Sequence, residues 1–458
     1  MERVKTWLDG ISQQCSPGSL FDVCCASRNG AHSSSGRGFL SEAAFHGDSS
    51  VFNGSSMFGT VNVNEVDGEN NTPLHWACVR GHIQMARTLL SHGADPNSAN
   101  DFGDTPMHWA ASGGHLGAIE FLFQAGARVD ISNRDGTTPL HFAAADGHVA
   151  IIQFLIGRHA HINVVTKDGD STLHWACAGG HVNGAHVLLD AGIDHSISNK
   201  DGNTAIHVAS AQGSTGLVEL LLRCKVNPNV FNRENETPLH WACANGHVPV
   251  VKSLLSAGAS PQVCNRRSEF PIHFAAKHAS LLLCRELLSK GADPNAATLT
   301  KEVPLHMVAV TGACEIIRLL IDSSANVSLR DQFGLQAIHF VSSNGHCAAA
   351  SMLIEAGADV NAQNDVHHFL CPLNHYHCSH LATGRRHGIA FCCAIRPCCG
   401  GPGAYDQLQR QLDDQEQRRS QFLNFIAFQT LFLAHLFART GRLASDVAAG
   451  AARGMIPE

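Results

Sequence analysis

The chain has no surplus of basic residues: 32 Lys and Arg against 39 Asp and Glu leave a formal charge of −7 over 458 residues. Such a balance gives no electrostatic footprint for nucleic acid. The opening residues Met1-Glu2-Arg3-Val4-Lys5-Thr6-Trp7 lack an apolar run long enough for a secretory signal, so a reducing, cytoplasmic setting is the expectation. No stretch supplies the roughly 20 mostly apolar residues of a bilayer span. The nearest approach, Phe422–Phe437, is interrupted by Asn424, Gln429, Thr430 and His435. Their scatter around a helix also spoils an interfacial amphipath. The Cys/His-rich stretch after residue 363 has no C-x-x-C spacing, the commonest zinc pairing. No serine or cysteine triad can be assembled, and nothing points to a cofactor or a small-molecule substrate.

What the chain has is a phrase, first readable at Thr72-Pro73-Leu74-His75-Trp76-Ala77-Cys78. Its histidine returns as His108, His141, His174, His207, His240, His273, His306 and His339, always 33 residues on. Within each unit, Thr offers a capping hydroxyl and Pro an N1 residue that needs no amide donor, so a short helix begins there. Leu74 and Ala77 face the next unit. Gly81, Gly114, Gly147, Gly180, Gly213, Gly246, Gly312 and Gly345 close that helix. A second, amphipathic helix follows, as at Ile83 to His92, with Leu89 and Leu90 expected to be buried. Asp-Gly turns such as Asp135-Gly136, Asp168-Gly169 and Asp201-Gly202 lead into the next unit.

A 33-residue Thr-Pro-Leu-His-x-Ala unit resembles the ankyrin repeat. The chain is identified as a member of that family over nine full repeats, residues 67–363. The resemblance implies an all-α solenoid of helix-turn-helix units with β-turn tips, joined here by a C-terminal helix. It also implies a non-catalytic scaffold or adaptor that binds other proteins through its concave face and tips. No insertion interrupts the array, so at roughly 8–10 Å per stacked helix pair the concave strip would run on the order of 80 Å. Departures gather late: Lys277-His278-Ala279-Ser280 replaces the Gly-His junction of repeat seven, and Val303 replaces Thr in repeat eight. Repeats five and nine have Ala205 and Ala337 for proline. The C-terminal half is therefore expected to open more easily.

Around the array, residues 1–37 read as a Ser/Gly/Cys-rich disordered arm and 38–66 as a degenerate N-terminal cap repeat. Residues 364–403 read as a Cys/His-rich closing repeat or loop, 404–440 as a charged-then-apolar helix and 441–458 as a flexible tail. Eight of the seventeen cysteines fall inside the repeats, several where a small buried residue is wanted. The resemblance makes the repeat histidines framework, as it does the Gly-His set His82, His115, His148, His181, His247 and His346.

The best zinc quartet is Cys371, His375, Cys378 and His380, set against a distorted last repeat or acylation of Cys392, Cys393, Cys398 or Cys399. Two rival functions follow: a membrane-tethered adaptor held by the Cys-rich loop and the apolar helix, and a zinc-binding or ubiquitin-ligase-associated module. The Asp-His-His-Cys palmitoyltransferase pattern is only grazed by Asp365-Val366-His367-His368, and that reading is rejected. Repeats ending Leu…Gly-Ala-Asp-Val-Asn can, by resemblance, be substrates of an asparaginyl hydroxylase, which nominates Asn361.

The aromatic row Trp76, Trp109, Phe142, Trp175, Trp241, Phe274 and Phe340 is expected to be half-buried packing. Partner contacts are expected from variable positions on the tips and first-helix ends: Arg80, Phe102, Asp104, Arg134, Asp146, Lys167, Asp170, Lys200, Gln212, Arg233, Glu236 and Asn245. Arg266, Arg267, Glu269, Lys277 and His278 continue that row as its most basic point, suited to an acidic segment. The competing reading of the whole row is a solvated face.

Overall fold

The computed structural model of the protein describes residues 38–52, 62–360 and 362. These lie in the first of two units, Met1–His375. The N-terminal arm, the zinc quartet, Asn361 and the apolar C-terminal helix all fall outside the described residues.

Nine inner helices of seven or eight residues, from Pro73–Val79 to Ala337–Ser343, alternate with nine outer helices of nine residues, from Ile83–Ser91 to Cys347–Glu355. Among the described residues, one further helix, Phe39–His46, and a 3-10 turn, Ser49–Phe52, precede them. Inner helices pack on inner helices and outer on outer along the array. The described residues hold no strand, only the isolated antiparallel bridges Val165–Ser171 and Ser198–Thr204 at two tips.

The packing follows from residue size. Two positions after each repeat histidine the side chain is small, and Ala77, Ala110, Ala143, Ala176, Ala209, Ala242 and Ala275 are fully buried. Neighbouring inner helices can thus approach closely. In the last two repeats Val308 and Val341 take this place. The outer helices contribute one leucine each at the same step, Leu89 through Leu353, and all nine are inaccessible to solvent. Leu90, expected to be buried beside Leu89, is only half-buried and packs at the edge of the core. Burial of a leucine is worth ~1.5–3 kcal/mol, yet no repeat could bury its own without a neighbour on either side.

The N-terminal helix serves as the start of the stack. Leu40 and Ala44 are buried, the Glu65 carboxylate accepts the Leu40 and Ser41 amides at 2.8 and 3.1 Å, and the Phe45 carbonyl accepts from His82 Nε2 at 3.1 Å. The cap behaves as a shortened repeat.

Glycine matters most where the inner helix turns back. Gly81, Gly114 and Gly147 have φ of 70°, 76° and 72°, and a Cβ on each would strike the ring of His115, His148 or His181 in the following repeat. Repeat seven has Ala279 in this role, held at φ 50°. A left-handed L-residue costs roughly 1–2 kcal/mol. Ala279→Gly is therefore expected to stabilise the protein by about 1 kcal/mol, measured by urea unfolding; an unchanged or lower midpoint would show that the strain is relieved elsewhere.

The same region loses its cap hydroxyls. Six repeats begin with Thr or Ser, whose oxygen lies 2.8–3.0 Å from the Nδ1 of the repeat histidine, as at Thr72 and Ser171. Phe270, Val303 and Gln336 open the last three repeats, and only their backbone amides reach that nitrogen, at 3.0–3.3 Å. Loss of a cap side chain costs about 1 kcal/mol. Native-state amide exchange is accordingly expected to be fastest in the inner helices of repeats seven to nine; uniform protection would refute this.

Candidate functional site

Each inner helix places a buried imidazole at its third position. The Nδ1 of His75 accepts the Thr72 amide at 3.1 Å, which leaves Nε2 to donate to the Asp104 carbonyl of the next repeat at 3.0 Å. Equivalent forward bonds run from His108, His174, His207 and His240 to Thr137, Asn203, Glu236 and Glu269, at 2.9–3.2 Å. In the last three repeats the acceptor shifts to a nearer carbonyl, that of Ala296, Leu329 or Ala362. The Gly-His histidines tie backwards: His115, His148, His247 and His346 bond the Val79, Ser112, Ala211 and Val310 carbonyls at 2.9–3.1 Å. Neither set is free to act on a substrate.

Burial sets the charge state of four inner-helix histidines. Loss of hydration pushes His75, His174, His207 and His240 down to about 4, against a partial offset from the carbonyl each one donates to. Burial also pushes the thiols of Cys177 and Cys284 up to about 12, which keeps them protonated and unreactive. Among the described residues no group of three His, Cys, Asp or Glu side chains could hold a metal ion. No helix there is long and apolar enough to cross a membrane.

The seventeen expected contact residues separate into two kinds. Asp104, Asp170, Glu236 and Glu269 share one register, and their carboxylates accept from the Asn133, Asn199, Asn232 and Asn265 side chains at 2.7–3.3 Å. Asp170 is buried, and Glu236 also takes the Trp241 indole N–H at 2.9 Å. These acids brace the tips: Glu236 and Glu269 hold an Asn four residues before them, a pattern legible in sequence, whereas Asp104 and Asp170 hold an Asn of the next repeat.

Arg134, Lys167, Lys200, Gln212, Arg233, Asn245, Arg266, Arg267, Lys277 and His278 are exposed along the tips and the far ends of the inner helices. Arg80 is exposed too and lies over the Phe45 ring at 4.7 Å. Phe102 and Asp146 are half-buried; burial lifts the Asp146 carboxyl to about 7 despite a hydrogen bond from Ser112. In the aromatic row, Trp109, Phe142 and Phe340 are half-buried as expected, whereas Trp76, Trp175, Trp241 and Phe274 are buried. Edge-to-face contacts join Trp76 to Trp109 at 5.1 Å and Phe142 to Trp175 at 5.9 Å. The row is floor rather than contact surface.

Two side chains that the sequence reading left out also stand on the tips: Leu299 is 68% and Phe333 59% exposed. Their hydrophobicity invites assignment to a core, and only their turn position says otherwise.

A family model described as "Ankyrin repeats (3 copies)" matches residues 40–133, 125–199, 191–265 and 272–364, which is more than half of the chain. The chain belongs to the ankyrin-repeat family. Curated relatives match short stretches of this ankyrin array. The Ankyrin repeat and LEM domain-containing protein 1 homolog of Caenorhabditis elegans is 50% identical over 43 residues, 9% of this chain and 6% of that protein. Ankyrin repeat domain-containing protein 13B of mouse and of human is 44% identical over 45 residues, 10% of this chain and 7% of those proteins. The chain thus spans less than a tenth of the length of these relatives. A crystal structure of the human ASB11 ankyrin repeat domain aligns with a TM-score of 0.45 at 28% identity, covering 49% of this chain and 99% of that one.

The buried histidines make the array sensitive to acid. Their folded pKa lies below the unfolded value, so the unfolded chain binds more protons across that interval. The stabilisation they give is complete above about pH 6.5 and is lost as pH falls towards 4. Urea midpoints are expected to drop steeply across this window, with several protons taken up on unfolding; a flat profile would contradict neutral burial.

Proposed function

We propose that the protein is a non-catalytic scaffold of the cytoplasm that binds another protein through its concave face and turn tips. One observation carries the reading. Eight of the nine inner-helix histidines and the Gly-His set reach a neighbouring repeat through Nε2, while the charged tip residues stand outside, in register. Ankyrin repeats are protein-interaction modules, and function in such a fold resides in the particular surface presented. Arg134, Lys167, Lys200 and Arg233 are members of that surface; Asp104, Asp170, Glu236 and Glu269 support it from within.

The test is proximity labelling in cells with the full chain and with a chain ending at Gln363. The expected result is that both label the same protein neighbours, because the array selects them. Neighbours that vanish when the residues after Gln363 are removed would overturn the reading in favour of a tail-driven adaptor.

A further inference from the structure

The tips repeat a two-residue unit: the series opens on Asp101-Phe102, is a base followed by an acid over four steps, and changes again at repeat seven. Residues directly before and after each step occur as Arg134-Asp135, Lys167-Asp168, Lys200-Asp201 and Arg233-Glu234. The first member donates its amide to the carbonyl of the second member one repeat earlier: Lys167 to Asp135 at 2.7 Å, Lys200 to Asp168 at 2.8 Å, Arg233 to Asp201 at 2.9 Å and Arg266 to Glu234 at 3.0 Å. This ladder sets Lys167, Lys200, Arg233 and Arg266 beside the acid of the preceding tip, while Arg134 follows Phe102; Lys200 closes on Asp168 at 3.3 Å. Four tips are therefore neutral pairs whose charges can be met by their neighbours.

The fifth is not. Arg266 still stands beside Glu234 of the preceding tip, but Arg267 puts a second base where the acid belongs and is exposed without an ion pair among the described residues. The ladder continues from Leu299 to the Arg267 carbonyl at 3.2 Å and from Gln332 to the Thr300 carbonyl at 2.9 Å, so the next two tips hold the same register. They carry apolar side chains instead, Leu299 and Phe333, each more than half exposed.

The far end of the same inner helix is also changed. Lys277 is exposed at a position that is Ala145, Ala178, Ala211 and Ala244 in the four preceding repeats, and Val310 in the following one. Repeat seven thus presents a surplus base at each end of its inner helix, Arg267 and Lys277, followed by two apolar tips.

We propose that this surface receives an extended acidic–apolar segment of a partner protein. A pair of acidic side chains sits on Arg266 and Arg267, and apolar side chains follow on Leu299 and Phe333. Stacked repeats are roughly 8–10 Å apart and an extended chain advances ~3.3–3.6 Å per residue, so the apolar side chains fall about three and five residues from the acids. Arginine's planar fork suits carboxylates in a bidentate fashion, and exposed apolar tips supply area that the charges alone do not. This rests on the scaffold reading above and assigns its partner chemistry.

The experiment presents the full chain to an array of synthetic peptides. Each carries Asp-Glu and two apolar residues at spacings of two, three or four, in both chain directions, beside versions with the acids changed to Asn-Gln or the apolar residues to Ser. Binding is expected to be tighter at spacings of two and three than at four, and to weaken as salt rises. It should fall by about tenfold or more with R266E/R267E or with Leu299→Ser, as loss of charge-assisted or apolar contacts predicts, and be unchanged with Arg223→Glu on an outer helix. All four positions are exposed, so the variants should melt with the wild type. Peptides bound equally by R266E/R267E, no preference among spacings, or capture of single-stranded nucleic acid in preference to the peptides would overturn the proposal. If R266E/R267E keeps the cellular neighbours of the wild type, the scaffold stands and this site falls; if the array-only chain has lost those neighbours already, the scaffold reading itself has failed.

Discussion

A buried imidazole, bonded at both nitrogens in eight of the nine repeats, is the constraint on which the array depends. One nitrogen fixes the start of its own helix; the other reaches a carbonyl of the next repeat, as from His75 to Asp104. An unpaired buried polar group costs roughly 1–3 kcal/mol, so a histidine without its neighbour would be a liability. Each repeat is thus incomplete alone and satisfied in a stack. The second histidine set bonds in the opposite direction, to the preceding repeat. Forward and backward ties together fix the register that places every tip.

Hydrogen bonds alone would not bring the helices near enough. The close approach comes from fully buried alanines on the inner helices and from one fully buried leucine on each outer helix. Stability in such a stack is nearly a sum of local terms and neighbour interfaces. Losses in repeats seven to nine therefore stay local: missing cap hydroxyls, a left-handed Ala279 and valine in place of alanine weaken the end of the array without disturbing its start.

The fold was legible because its signals are redundant. Thr72-Pro73, His75, Ala77 and Gly81 each carry a separate physical reason, and all recur at one spacing. The surface was only partly legible, because polar residues on the tips look alike in sequence whether they brace or protrude. Asp170 and Asp168 are two residues apart. One is buried on Asn199, and the other faces Lys200 in solvent. Composition gives no means of separating them; the turn's hydrogen bonds do. Leu299 and Phe333 failed in the opposite sense, since an apolar residue suggests a core until its place on a turn is known. Aromatic side chains likewise divided by neighbour size, with Trp175 covered and Trp109 half open.

That sorting alters how the net charge should be understood. The chain carries −7 overall, which suggests no acidic partner. Yet four of its acids on the inner-helix side are held by asparagine side chains within the array, and those of the neutral tips stand beside bases of the next repeat. Screening limits exposed charges to effects within about 8–10 Å, close to one repeat spacing. A partner lying on the array therefore meets each tip almost separately and never experiences the sum. Recognition along a solenoid is decided by local departures from its own repeat, and the arginine pair at Arg266-Arg267 is a departure of the right size to be read.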